Sequence, residues 1–138
     1  MKNIRHHVRY HIDEYKREIT ATILGTRDDF VNFLKEVDFW GISSFTTSQR
    51  KKLEMPSAFI GKSRCDVNDT WDVELGKKIA YDRAKKNRDR SFFKRANTYA
   101  NFVATKQNQI FNLSDDYGTK LSVNQDYRAK KIEEQVQE

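Results

Sequence analysis

Forty-one consecutive residues, Lys77 to Tyr117, contain neither glycine nor proline. A stretch so free of breakers can run as one helix of about 60 Å, or as two helices joined by a bend. Val73, Leu75, Ile79, Ala80 and Ala84 draw an apolar stripe at its start. Phe92, Ala96, Tyr99, Val103 and Ile110 continue the line at helical spacing. Thr70 or Asp72 stands where a cap is needed. Ser114, with Asp115 and Asp116 behind it, marks a further helix start, with a body from Val123 to Gln137. The expectation is two long C-terminal helices. Helices beyond ~25 residues are uncommon in small monomeric domains, so such a pair points to association between copies.

The upstream half reads differently. Residues 4–12 alternate, with Ile4, His6, Val8, Tyr10 and Ile12 on one face and Arg5, His7, Arg9 and His11 on the other. Residues 17–24 repeat the period of two, with Ile19, Ala21 and Ile23 inward. Asp13 to Lys16 are short enough to close a hairpin between them. Gly25 ends the second strand and Thr26 is the expected cap of a short amphipathic helix, its apolar face made by Phe30, Phe33, Leu34 and Val37. From Asp38 to Ser57 the serines and threonines favour a loop, although Trp40, Ile42 and Phe45 fit a short strand. Gln49 to Lys52 form a small basic patch. Ala58 to Cys65 is a third strand, with Phe59 and Gly61 on one face and Ile60 and Lys62 on the other. The fold class is therefore α+β: an N-terminal antiparallel sheet with a short helix, then helices.

The length implies a single domain over residues 1–138, with 1–66 mostly β and 70–138 mostly helical. Apolar residues make up 37% and charged residues 33%, a balance that suits long exposed helices or a core completed by oligomerisation. Cys65 is the lone cysteine, which excludes an internal disulfide framework. No apolar run reaches the ~20 residues of a membrane span, and the N-terminus lacks a signal-peptide core. A soluble, cytoplasmic protein with no membrane partner is expected.

Charge is concentrated in the helical half. Lys77 to Arg95 hold nine Lys or Arg against Asp82 and Asp89, while the whole chain has a formal charge of +6. Like charges at i, i+4, such as Lys86 with Arg90 and Arg90 with Lys94, destabilise a helix unless an anion relieves them. Arginine offers paired donors to phosphate, and its plane stacks on bases. Arg88, Arg90 and Arg95 are thus candidates to neutralise phosphates. Phe92, Phe93 or Phe102 would stack on a base, and Asn97 or Asn112 would read its edge. Arg128 would close the pocket from a neighbouring chain.

Other chemistries find less support. His7 and His11, i and i+4 on a strand, lie about 13 Å apart and cannot share an ion. The acidic loop Asp66–Asp72 has Trp71 where a calcium loop needs glycine, and Lys77 where it needs a bidentate Glu. No GxSxG elbow frames a serine. Gly61-Lys62-Ser63 lacks the upstream glycine of a phosphate-binding P-loop. No histidine is local to Cys65. No cofactor, metal or enzymatic activity is expected.

Lys77-Lys78-Ile79-Ala80 and Ala84, after a hairpin and third strand, look like the end of a double-stranded RNA-binding domain, whose lysine-bearing helix grips phosphates. That family's leading helix is absent, and Ser63 to Leu75 replace its glycine-rich turn. Phe59–Ala84, FIGKSRCDVNDTWDVELGKKIAYDRA, resembles small proteins of Gram-positive phages. The order of strands followed by long helices resembles the phage Thoeris anti-defence sponge family. That resemblance implies a non-catalytic, oligomeric protein that binds and sequesters a cyclic ADP-ribose-type immune signal, within the bacterial host cytoplasm. The alternative is a basic nucleic-acid-binding protein.

Overall fold

The computed structural model describes residues 6–136, with side chains to residue 122. Its elements are β1 (His7–Asp13), β2 (Glu18–Leu24), α1 (Asp29–Val37), α2 (Phe39–Ser43), α3 (Thr47–Lys52), β3 (Ala58–Arg64) and α4 (Val73–Val136). The α+β order anticipated from the sequence is the observed one. The strands form one antiparallel sheet in the order β1-β2-β3. A turn over residues 14–17 joins β1 to β2, with Arg17 in the left-handed region at φ 51°.

Alternation in β2 does what its pattern dictates. Ile19, Ala21 and Ile23 are buried on one face, where they meet Ala80 and Ala84 of α4, both 0% exposed. Val8, Trp71, Val73 and Tyr81 pack around this seam. The seam is tight because its residues are small. A Cβ at Gly61 would fall inside the contact radius of the Ala80 carbonyl oxygen and the Ala84 amide nitrogen, so β3 and α4 meet backbone to backbone there. A Cβ at Gly76 would press on the Cδ1 of Ile19. Ser63, buried on β3, donates its hydroxyl to the Gly76 carbonyl at 2.7 Å.

A second cluster is aromatic. Phe92 of α4 sits edge-on to Phe30 at 5.0 Å and to Phe33 at 5.4 Å between ring centroids. Tyr99 meets Phe45 at 5.6 Å, and its hydroxyl bonds the Asp38 carboxylate. Asp38 also accepts the Gly41 amide at 3.1 Å and so caps α2. Leu34, Ile42, Leu53, Met55 and Phe59 are buried as well.

Several expectations are corrected here. Thr26 does not cap α1; Asp28 occupies that position, and Thr26 is fully buried with its hydroxyl donated to the Pro56 carbonyl at 2.6 Å. Val37, expected on the apolar face, is exposed because α1 ends there. Residues 38–57 are neither loop nor strand in the main: Asp38 caps α2, and a capping box between Thr46 and Gln49 starts α3. The T-x-x-Q spacing is itself a helix-start signal, legible in the sequence. Ile42 and Phe45, three apart, are buried, while Trp40 stays 82% exposed. The two C-terminal helices are one continuous α4: Ser114 to Asp116 lie inside it, since neither residue type interrupts the backbone hydrogen bonds as proline would. Asp72 is the cap, accepting the Leu75 amide at 3.2 Å.

The chain divides into two compact units, Met1–Tyr99 and Ala100–Glu138. The first holds the sheet, α1 to α3 and the start of α4. Among the described residues the second is helix alone, and Ile110, Leu113, Tyr117 and Leu121 in it are 56–66% exposed.

Candidate anion-binding face

The basic run forms the part of α4 within the first unit, and its two sides have different fates. On the inner side the cations are used by the chain itself. Arg83 donates to the Lys62 carbonyl at 2.6 Å, and Asn87 donates to the Ile60 carbonyl at 2.9 Å. Arg95 donates its Nε to the Glu54 carbonyl at 3.0 Å. Lys77 reaches Glu74 at 3.8 Å and lies over the Tyr10 ring at 5.5 Å. These side chains lock α4 to β3 and to the segment before it.

Arg88 lies 3.9 Å from Asp89 and bears on Asp29, which is paired with His6 at 2.8 Å. Burial holds the Asp29 carboxyl above its ordinary 3.8; His6 and Arg88 pull it down and Asp28 pushes it up. The folded state therefore keeps this proton more tightly than the unfolded chain does. Its contribution to stability is full below 3.8 and is lost as pH rises through the raised value. Urea midpoints across this interval should show wild type gaining on Asp29→Asn as pH falls; parallel curves would contradict it.

The outer side is different. Lys86, Asp89, Arg90, Phe93, Lys94 and Asn97 line an open hollow of about 550 Å³. Their spacing puts them on one helical face, three and four residues apart. Phe93 stands 67% exposed in the midst of three cations, although an aromatic ring gains most from burial. A flat ring ringed by ammonium and guanidinium groups is suited to a ligand with both a π-face and phosphates. Asn97 adds an amide donor and acceptor at one end.

The sequence-named residues therefore separate. Arg90, Phe93 and Asn97 come together at the hollow. Phe92 belongs to the aromatic cluster with Phe30 and Phe33, and Arg88 and Arg95 turn to partners within the chain. Phe102 and Asn112 lie in the second unit, the first half-buried and the second exposed. Arg128 falls beyond the residues whose side chains are described. Lys86 and Lys94 join them at the hollow, and the i, i+4 repulsion each has with Arg90 is the sequence signal for this face.

Among the described residues, no three His, Cys, Asp or Glu side chains are placed to hold a metal, and no helix is long and apolar enough to cross a membrane. His7 and His11 are exposed on β1. In comparisons with known proteins, no family model, no curated protein and no solved structure matches this chain.

Proposed function

We propose that this protein is a non-catalytic binder that sequesters a cyclic nucleotide of the cyclic ADP-ribose type on the Lys86–Asn97 face of α4. The observation that carries the reading is Phe93, an exposed ring framed by Lys86, Arg90 and Lys94. Base stacking would cover the ring, and two phosphates would relieve the repulsion between cations one helical turn apart. The lining contains one acid, Asp89, and no histidine, cysteine or serine, so it supplies charge and stacking rather than a nucleophile. The order of strands followed by a long helix, which resembles the phage anti-defence sponges, supports an immune signal as the ligand.

A homo-oligomer belongs to this reading. Ile110, Leu113, Tyr117 and Leu121 recur at i, i+3, i+7 and i+11, the pattern of one helix face, and all are exposed in a unit that is helix alone. A second copy supplies the same stripe and lets both be buried.

The openness of the Lys86–Asn97 face favours a second reading, binding of a nucleic-acid strand along the row of cations. Salt distinguishes the two. A strand should lose about one unit of log K per log salt for each phosphate neutralised, whereas a ligand with two phosphates should lose far less. The expected result is retention of cyclic ADP-ribose in equilibrium dialysis, a shallow salt slope and recovery of the ligand unchanged. Tight oligonucleotide retention with a steep slope, and none of the cyclic nucleotide, would replace the first reading by the second.

A further inference from the structure

The two edges of the sheet are treated differently. Cys65 donates its amide to the Arg17 carbonyl at 2.9 Å, and Gly25 donates to the Ser57 carbonyl at 3.0 Å. Together with the register, these bonds show that the odd-numbered residues of β2 bond to β3 and the even-numbered ones to β1. In β3 the even-numbered residues must then point their backbone groups outward. They do: the Ile60 and Lys62 carbonyls are the ones taken by Asn87 and Arg83 of α4. The β3 edge is closed by side chains of its own chain.

The β1 edge is not. Its odd residues, His7, Arg9, His11 and Asp13, face Leu24, Thr22, Thr20 and Glu18 in bonded pairs. Val8, Tyr10 and Ile12 therefore aim three N–H and three C=O groups away from the sheet, and no described residue receives them. Edge strands that must stay single usually carry charges, proline or a bulge. The sequence HVRYHID contains no proline and no inward charge: Arg9 and Asp13 alternate onto the face away from α4, and the pairing with β2 runs unbroken from His7 to Asp13. Tyr10 and Ile12 remain 41% and 36% exposed on the sheet face that otherwise meets α4.

We propose that β1 pairs antiparallel with β1 of a second copy, about a two-fold axis at Tyr10, making one six-stranded sheet. The strand is self-complementary in this register. Val8 opposes Ile12 of the second copy and Tyr10 opposes Tyr10, so all three outward-bonding residues exchange both hydrogen bonds. Every outward N–H and C=O of both strands is satisfied, which a shift of register would not achieve. The side chains agree with the backbone. On the α4 side the contacts are Val8 with Ile12 and ring with ring, covering the apolar surface left at the edge. On the other side His7 opposes Asp13 of the second copy, a favourable pair, and Arg9 opposes His11. The partner is this chain itself because the seven residues from His7 to Asp13 pair completely with their own reverse.

The inference is independent of the ligand reading, and its test is separate. Amide exchange read residue by residue on the full chain should find Val8, Tyr10 and Ile12 as protected as Arg9 and His11. Tyr10→Pro removes an N–H that points outward, so it should spare the β1–β2 ladder and keep the circular dichroism spectrum. Native mass spectrometry should show the assembly falling at least twofold in mass with this variant. Free exchange at Val8, Tyr10 and Ile12 beside protected Arg9 and His11 would overturn the proposal, even if copies associate through α4. If Tyr10→Pro does not fold, wild-type exchange decides alone; an unchanged mass in a folded variant also overturns it.

Discussion

Gly61→Val is expected to lower the melting temperature by more than about 10 °C. The cause is contact between backbones. A Cβ at position 61 collides with the Ala80 carbonyl and the Ala84 amide, groups already fixed by the hydrogen bonds of α4. Neither can rotate away as a side chain would. The helix must lift from β3, opening the seam with Ile19, Ala21 and Ile23, at a cost of about 3 kcal/mol or more. For a chain of this size that corresponds to roughly 10 °C or more. Lifting α4 also strains the bonds from Arg83 and Asn87 to the β3 carbonyls. Gly118→Ala supplies the contrast, since nothing lies within 4 Å of a Cβ there. In an exposed helix that change should stabilise by about 0.5–1 kcal/mol. Thermal melts followed by circular dichroism test both, and a Gly61→Val protein melting beside wild type would mean that α4 does not rest on β3.

Neighbouring phenylalanines should fail in different ways. Phe93→Ala removes an exposed ring from the hollow, so stability should hardly change while ligand binding weakens by about tenfold or more, the worth of a base–aromatic stack. Arg90→Glu would set a repelling charge where the proposal places phosphate, and a loss of about a hundredfold is expected. Phe92→Ala acts on the fold instead. Its ring touches Phe30 and Phe33, and truncation should destabilise by about 3 kcal/mol. Equilibrium dialysis and urea unfolding on the three variants separate the roles. Full binding by Phe93→Ala would remove the observation on which the functional proposal stands.

This contrast shows where sequence reasoning stops. Phe92 and Phe93 are adjacent, and both sit in the same basic run. Composition made them equivalent candidates for stacking; only the rotation of α4 against α1 half-buries one against Phe30 and Phe33 and leaves the other on the surface. The same holds for the arginines. Arg88, Arg90 and Arg95 have the same chemistry, yet a neighbouring carboxylate takes the first and the Glu54 carbonyl takes the third. Asp89 adjoins Arg88 and can be read locally, but the partner of Arg95 cannot: Glu54 lies 41 positions away.

The sequence by itself determined what local physics determines. Period-two alternation specified β1 and β2 and the buried face of Ile19, Ala21 and Ile23, because one residue of slip would turn that face to water. The absence of glycine and proline after Gly76 specified helix without saying whether one or two, and left Thr70 or Asp72 as its cap; the structure has one helix, capped by Asp72. Tertiary structure decided the rest. Residues 38–57 carry legible local caps at Asp38 and Thr46, but it is the burial of Ile42, Phe45 and Leu53 that makes them two short helices rather than loop. Gly61 acquired its importance only from the helix laid across it. Which cations stay available to an anion was likewise settled by packing, since a charge cluster read along a chain does not reveal which side of its helix faces the sheet.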